Sequence, residues 1–286
     1  MASQHSAPEP QPVDADAFNA FEASGWGRKA ATYDSFFGQL TGRLVDPLLD
    51  AAQVAAGDRV LDVATGPGYA ASKAVDRGAA VVGVDIAPAM IELAQRIVPR
   101  AEFRIANVEV LPFADESYDG VVGNFMILHV ARPEQAVREF ARVLKPGGRL
   151  ALTAWDTPDR SRLLGVFLDA ISAAGASPPT DIPAGPPFFR FSDDGEFSRL
   201  LRDAGMNNVG VDTIKFDHAV PSAQQLWDGL LGGTVRTSSL VLRQPEETRQ
   251  RIREALDETV RDYQGEDALV LPVSVKLAHG TKPDSR

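Results

Sequence analysis

The chain of 286 residues contains no cysteine. It therefore has no disulfide bond, no thiolate nucleophile and no metal site built on cysteine. A chain without cysteine is compatible with a reducing compartment, and we expect the protein to be cytoplasmic. We assign no metal ion to its functional site.

Long apolar runs are also absent from the sequence. No stretch approaches the roughly 20 apolar residues with which a helix crosses a bilayer. The first residues lack the basic-then-apolar order of a secretory signal. We therefore expect a soluble protein without a membrane span.

Positive charge is scarce relative to negative charge. The 29 lysine and arginine residues are outnumbered by 39 aspartate and glutamate residues, which gives a formal net charge of −10. A field of that sign repels nucleic-acid backbones and anionic membranes, so we expect no nucleic-acid partner. The apolar fraction of 44% and the charged fraction of 24% are those of an ordinary globular protein.

Composition and periodicity divide the chain into predicted segments. Residues 1–16 are rich in proline, alanine, serine and glutamine and poor in large apolar residues, which predicts a disordered tail. The segments that follow are N-terminal helices over 17–56, a core over 57–155, a helical cap over 156–191 and 221–264, and the closing part of a sheet over 192–220 and 265–280.

The core segment alternates short apolar runs with helical stretches. This alternation predicts βαβ units and an α/β fold with a parallel sheet covered by helices on both faces. Two further strands are predicted nearer the C-terminus, and Pro272 in the last of them indicates an edge or a bulge. The predicted strands are 59–63, 80–84, 101–105, 120–125, 148–153, 209–216 and 269–278.

The most informative stretch is a strand that leads directly into a glycine turn and then into a helix. Gly66 and Gly68 let the backbone approach a ligand closely, and the start of the helix offers amide donors. The spacing Gly66-x-Gly68-x-x-Ala71 also satisfies the dinucleotide fingerprint. A glycine turn that only packs a helix on a sheet would show the same spacing.

Two carboxylates narrow the choice of ligand. Asp62 lies in the strand, four residues before Gly66. A carboxylate there suits an ammonium-bearing ligand and fits badly beneath a pyrophosphate. Asp85 ends the second predicted strand, where a carboxylate accepts hydrogen bonds from both ribose hydroxyls of an adenosine. These positions favour an adenosine-containing ligand with a cationic part.

Five passages of the chain have the order and spacing of a known set of motifs. They are Ala31–Asp34, Leu61–Gly68, Gly83–Ile86, Leu111–Asp119 and Arg142–Gly148. This set resembles the class I S-adenosylmethionine (SAM)-dependent methyltransferases, in the branch similar to the ubiquinone/menaquinone C-methyltransferases. The resemblance implies a Rossmann-like, seven-stranded, mostly parallel sheet whose last strand is antiparallel, with an inserted helical cap. It also implies SAM as cofactor and S-adenosylhomocysteine (SAH) as cofactor product.

The resemblance implies a role for individual residues of each passage. Ala64 stands where many family members have glycine, and its small methyl group is expected to leave binding intact. The implied cofactor contacts are Tyr33 closing over the site from the N-terminal helices, Asp62, Ala64, Gly66 and Gly68 at the methionine part, Asp85 at the ribose, Ile86, Asn107 and Val108 at the adenine, and Asn124 beside the sulfonium.

Methyl transfer is an in-line displacement with a neutral leaving group, so alignment and exclusion of water supply much of its catalysis. Transfer to oxygen or nitrogen also needs a base or an acceptor that is already ionised. His129, just after the fourth predicted strand, is our candidate base. Asp156 and Tyr33 are further catalytic candidates. Each of the three is also compatible with a purely structural role.

Aromatic residues of the N-terminal helices, the strand ends and the cap predict an acceptor pocket. Several of them flank the proline-rich stretch 177–187, which we interpret as a lid. We expect a small, largely apolar organic acceptor that is methylated on carbon or oxygen, as in natural-product or quinone-like metabolism. A homo-oligomer is compatible with the sequence. The predicted pocket residues are Trp26, Phe125, Trp155, Phe188, Phe189, Phe191 and Trp227.

Two other functions share these sequence features. An NAD-dependent oxidoreductase would use the same glycine spacing, although Asp62 and the later motifs argue against it. A protein with this fold could also bind SAM and catalyse cyclisation or dock a partner, because a fold does not fix a function. Loss of SAM that depends on an acceptor would distinguish methyl transfer from the second alternative.

Overall fold

The computed structural model describes residues 13–284. Its strands are β1 (Arg59–Val63), β2 (Ala80–Asp85), β3 (Glu102–Ile105), β4 (Tyr118–Gly123), β5 (Leu144–Trp155), β6 (Asn207–Val220) and β7 (Leu269–Thr281). They form one central sheet with the strand order β3-β2-β1-β4-β5-β7-β6. The predicted seven-stranded α/β fold is confirmed.

The last strand runs against its neighbours. β1 pairs in parallel with β2 and β4, and β4 pairs in parallel with β5. β7 pairs antiparallel with both β5 and β6. The strand is therefore internal, so the prediction of an edge is wrong for β7 as a whole and holds only around Pro272, where β7 pairs with β6 alone. Pro272 lies opposite Asp217 of β6, beyond the Trp155–Val275 pair that ends the β5 register, so its missing N–H costs no bond to β5.

Helices cover both faces of this sheet because strand residues alternate between the faces. Val60 packs in one apolar cluster with α3 to α5, whereas Leu61 packs in the other with α6 to α8. The helices are α1 (Ala15–Tyr33), α2 (Gln39–Gly42), α3 (Val45–Ala51), α4 (Tyr69–Asp76), α5 (Pro88–Ile97), α6 (Pro133–Val143), α7 (Arg162–Ala173), α8 (Asp194–Asp203), α9 (Ala223–Gly233), α10 (Arg236–Leu242) and α11 (Glu246–Thr259).

The first helix begins inside the segment predicted to be a tail. Asp14 caps α1 by accepting a hydrogen bond from the Ala17 N–H at 3.0 Å, so the helix starts at Ala15. Residues 1–12 of the predicted tail lie outside the described residues. At its other end α1 continues through a π-helical turn, Asp34–Gly38, into α2.

The first helix docks on the cap. The Lys29 ammonium donates to the Leu231 carbonyl and the Thr32 hydroxyl donates to the Gly232 carbonyl, each at 2.6 Å. No helix within residues 13–284 has both the length and the apolar character to cross a membrane.

Glycines of α9 let the π-helical turn approach the cap closely. The ring of Phe36 lies where a Cβ on Gly229 would be only 2.2 Å away, and Phe37 approaches Gly233 equally closely. These contacts place α1 and the cap over one end of the sheet.

Candidate active site

A cavity of about 560 Å³ lies at the carboxyl ends of the central strands. Asp62 and Asp85 reach it from β1 and β2, while Asn124 and Trp155 reach it from β4 and β5. This edge is where ligands bind in open parallel sheets. The opposite wall comes from α1, α7, the 178–189 segment and the α9–α10 junction.

The glycine turn after β1 leaves room for a ligand. Ala64 and Gly66 adopt left-handed conformations, with φ of 51° and 52°, and both line the cavity. A Cβ built on Gly66 would meet no atom within 4 Å, so its face of the turn is open. Gly68, with φ of 89°, lies behind the turn, where a Cβ would be 3.2 Å from the Val98 side chain. The structure therefore assigns Gly68 to packing and not to a ligand contact.

Two buried carboxylates hold the turn in shape. Thr65 Oγ1 and the Ala71 N–H both donate to Asp62 Oδ2, at 2.6 and 3.0 Å. The N–H groups of Gly66 and Ala87 donate to the two oxygens of Asp85, at 3.0 and 2.9 Å. Each carboxylate oxygen has further lone pairs that can accept from a ligand.

Burial raises the pKa of both carboxyls. The pKa of Asp62 rises to about 7 and that of Asp85 to about 6, because both side chains are removed from water and their hydrogen bonds offset this only in part. A cationic or hydroxyl-bearing ligand would favour the ionised forms. Perturbed carboxyls in a cavity are typical of a functional site.

Asn124 connects the sheet to the N-terminal helices. Its amide donates to the Thr41 carbonyl at 3.0 Å, and its Oδ1 accepts from Thr153 Oγ1 at 2.8 Å. The amide is thus oriented by both partners while it lines the cavity. Tyr33 lines the same wall, and burial raises the pKa of its phenol. It therefore stays protonated and serves as a neutral donor rather than as a base.

His129 lies beside a buried glutamate of α1. Its Nδ1 is 3.1 Å from Glu22 Oε2, which also accepts from Trp26 Nε1 at 2.9 Å. A carboxylate oxygen accepts hydrogen bonds, which favours the tautomer that carries its proton on Nδ1. The Glu22 side chain is 2% exposed, whereas His129 is 21% exposed and lines the cavity. A histidine oriented by a buried carboxylate is an arrangement that recurs in enzymes with a histidine base.

Aromatic rings form much of the remaining wall. Phe125 and Trp155 stack with ring centroids 4.2 Å apart and an interplanar angle of 29°. Phe188 lies edge-on to His129, with centroids 5.8 Å apart, and also to Phe189, at 5.0 Å. The structure brings these four predicted pocket residues together with Trp26 around one cavity.

Comparison with known proteins agrees with this geometry. A family described as a methyltransferase domain matches residues 61–152. The demethylmenaquinone methyltransferase of Beutenbergia cavernae is 31% identical over 170 residues, which are 57% of this chain and 71% of that protein. The chain belongs to the class I SAM-dependent methyltransferases. Its branch is that of the ubiquinone/menaquinone methyltransferases, as the sequence motifs predict.

Other relatives of this methyltransferase match less of its length or show the fold alone. The demethylmenaquinone methyltransferase of Renibacterium salmoninarum is 37% identical over 111 residues, which are 39% of this chain and 47% of that protein. The chain thus matches about half of that relative. The YcgJ protein of Bacillus subtilis shares 22% identity with a TM-score of 0.55, over 85% of this chain and 99% of that one.

Three residues that the resemblance assigns to the adenine do not line the cavity of the methyltransferase. Ile86, Asn107 and Val108 lie outside the wall, and Met90 of α5 takes part in it instead. The Asn107 Oδ1 is already used, since it accepts from the Glu109 N–H at 2.9 Å. Their assignment to the adenine stays a prediction that this geometry does not support.

Two of the predicted pocket residues, Trp227 and Phe191, lie outside the cavity wall. Trp227 packs edge-on against Phe167 at 5.4 Å and lies under the Arg253 guanidinium at 5.5 Å, so it supports α7 from behind. Phe191 is buried against Phe197, with centroids 5.3 Å apart. Neither ring lines the cavity. Phe191 is a buried core residue, whereas Trp227 is partly buried and packs against the core.

The predicted catalytic role of Asp156 is not supported. Its fully buried carboxylate accepts from Ser274 Oγ and from the Thr157 N–H, each at 2.8 Å. The ammonium of Lys276 lies 3.9 Å away. Asp156 ties β5 to β7 and does not line the cavity.

Sequence reasoning missed several residues of the site, among them Glu22, Thr41 and Arg236. Glu22 is a helix residue four positions before Trp26, and that spacing alone could have placed the two on one face. Thr41 and Arg236 come from helices with no motif of their own. Only the tertiary arrangement brings them to the cavity.

The raised pKa values predict how SAH affinity depends on pH. Below a pH of about 6 the Asp85 carboxyl takes up a proton and no longer accepts hydrogen bonds at both oxygens. Protonation of Asp62 begins earlier, near pH 7, and removes attraction for an ammonium group. We expect the dissociation constant of SAH to rise about tenfold or more between pH 7.5 and pH 5. Calorimetric titration at four pH values measures it.

The variant Asp62→Asn tests whether Asp62 causes the change in SAH affinity near pH 7. Asp62→Asn keeps an oxygen for the Thr65 and Ala71 donors and loses the titration. As the pH falls, the dissociation constant of SAH should no longer increase near pH 7 in this variant, while its increase below pH 6 should remain. A pH-independent dissociation constant in the wild type would contradict the assignment of both groups to the ligand site.

Proposed function

We propose that this chain transfers a methyl group from SAM to a small, largely apolar organic acceptor with an ionisable hydroxyl group. The observation that carries the proposal is the His129–Glu22 pair, which lies on the same cavity as Asp62 and Asp85. A base is useful only where the acceptor must lose a proton. Methylation of such an acceptor at oxygen, or at a ring carbon activated by the ionised oxygen, would both use it.

The residues present fit SAM. The open face of Gly66 accommodates a ligand against the backbone, and a side chain at that position would fill the space. Asp85 offers both oxygens to ribose hydroxyls at the end of β2. Asp62 offers negative charge to an ammonium group. When bound, SAM supplies an electrophilic methyl group on a positively charged sulfur.

Side chains of this protein would prepare the acceptor for the transfer. His129 Nε2 takes the hydroxyl proton, and the Glu22 carboxylate stabilises the positive imidazolium that results. Phe125, Trp155 and Phe188 hold an apolar acceptor body and exclude water. Asn124 and Tyr33 line the same cavity.

The relatives support an aromatic acceptor without naming it. Two relatives described above are demethylmenaquinone methyltransferases. A quinol-type ring has the apolar body and the ionisable hydroxyl that this cavity suits. We propose this chemical class as the acceptor, methylated on carbon or oxygen.

The first test is binding of the cofactor product. We expect SAH to bind the purified protein with a micromolar dissociation constant in a calorimetric titration, and NAD to give no heat under the same conditions. Binding of NAD in place of SAH would overturn the proposal. A second assay then measures loss of SAM in the presence of naphthols and hydroquinones. SAH binding with no acceptor-dependent loss would point to a role other than methyl transfer.

A further inference from the structure

One fixed positive charge lines the acceptor side of the cavity. Among the cavity-lining residues of the described chain, Arg236 at the start of α10 is the sole lysine or arginine. Its side chain is half-buried. Burial lowers the pKa of Arg236, but a guanidinium remains charged at neutral pH. A partly buried positive charge on the wall of a ligand cavity is suited to an anionic group of the ligand.

The protein leaves most of this guanidinium unsatisfied. Arg236 has five N–H donors. Within residues 13–284 its one hydrogen bond is to the Pro186 carbonyl, at 3.1 Å. No carboxylate oxygen of the same residues lies within 4.0 Å of its nitrogens, although Glu22 is near enough to stabilise its charge. A guanidinium with free donors pairs best with a carboxylate, which matches its fork of N–H groups.

Two aromatic rings flank Arg236, and one of them, Phe188, lines the cavity. Its guanidinium carbon lies 5.5 Å from the Phe18 ring centroid and 5.9 Å from that of Phe188. The same Phe188 ring lies edge-on to His129, 5.8 Å between centroids. Arg236 and His129 are therefore neighbours of one aromatic ring, while Asp62 and Asp85 line the strand side of the cavity. An anion held by Arg236 would lie close to the proposed base.

We propose that Arg236 binds a carboxylate on the acceptor, so that the acceptor is an apolar molecule with one anionic group next to its ionisable hydroxyl. This inference rests on the proposed function, since it uses the same cavity. Apolar contacts from Phe18 and Phe188 exclude water from the ion pair and strengthen it. The methionine carboxylate of SAM has the same chemistry and is the alternative occupant, which the test separates.

The test compares two probes of equal shape and different charge. Calorimetry measures binding of 2-naphthoate and of 2-naphthamide to the wild type, with and without saturating SAH. We expect 2-naphthoate to bind about tenfold tighter or more, because only the carboxylate makes a charge-assisted contact with the guanidinium. Absence of this preference overturns the proposal.

Three variants assign the preference to the guanidinium. Arg236→Gln should abolish it and leave the dissociation constant of SAH within about twofold, while Arg236→Lys should retain a part of it. The control is Arg202→Gln, which removes an exposed arginine of α8 and should leave both values unchanged. Thermal unfolding of each variant confirms that it is folded.

The outcomes that count against the anion site differ from those that count against the proposed function. An unchanged preference in Arg236→Gln overturns the anion site. Weaker SAH binding in this variant, without an effect on 2-naphthoate, assigns Arg236 to the cofactor carboxylate and also overturns it. Failure of SAH to bind the wild type overturns the proposed function, whereas the probe preference measured without SAH still tests Arg236.

Discussion

Replacement of Asp85 by alanine should weaken SAH binding about 100-fold or more. Two charge-assisted hydrogen bonds from ribose hydroxyls would be lost, and each contributes about 1.5–3 kcal/mol. The N–H groups of Gly66 and Ala87 would also lose their acceptor, so the turn that receives the ligand would lose its shape. Calorimetric titration with SAH measures the change, and thermal unfolding confirms that the variant is folded.

Asparagine at this position should be nearly as damaging as alanine. Both oxygens of Asp85 accept from backbone N–H groups, so an amide NH₂ would necessarily face a donor. Asp76→Asn is the matched control, because Asp76 is an exposed partner of Arg100 far from the cavity wall. SAH affinity within threefold of the wild type in Asp85→Ala would show that Asp85 does not hold the ribose.

Replacement of His129 by glutamine should lower kcat by about 10²–10⁴-fold, the usual contribution of a positioned general base. SAH affinity should change little. Burial raises the pKa of Asp85 and the nearby His129 offsets a part of this rise, but Asp85 keeps its Gly66 and Ala87 donors in the variant. The rate is measured as SAH release with an acceptor found in the SAM-loss assay. His279→Gln is the matched control, since His279 lies on β7 near Asp212 and outside the cavity wall.

The pH dependence of the variant distinguishes a base from a structural histidine. Without His129, the rate should rise about tenfold per pH unit until the acceptor hydroxyl ionises on its own. Glu22→Gln should lower kcat less than His129→Gln does and leave the acceptor KM nearly unchanged, as a positioning residue would. An equal loss at every pH would mean that His129 only orders its loop.

The local sequence pattern was sufficient to predict which residues lie at the ends of the strands. The positions of Asp62 in β1 and of Asp85 at the end of β2 could be predicted because a strand, a glycine turn and a helix follow one another within a short stretch. The sheet followed from the same alternation, and its antiparallel β7 from the resemblance. Pro272 misled because its position in the sheet depends on where β5 ends, which no local pattern records.

Long-range contacts account for what the sequence did not reveal. Glu22 and His129 are 107 residues apart, and only the docking of α1 on the sheet brings them together. Trp227 was misassigned because helical periodicity predicts a buried face without saying which cavity it adjoins. Asp156 failed as a catalytic candidate because its partner, Ser274, arrives 118 residues later on β7.

The docking of α1 on the cap bears on how this enzyme lineage can diversify. The stretch that the family shares, residues 61–152, includes Asp62, Asp85 and His129. Glu22 and Arg236 lie outside it. Glu22 is on α1, which docks on α9, and Arg236 begins α10, the helix that follows α9. If Glu22 and Arg236 serve the acceptor, as we propose, substitutions in these helices would change the choice of acceptor and leave Asp62 and Asp85 in place. Relatives that are equally similar over the shared stretch are expected to act on different acceptors.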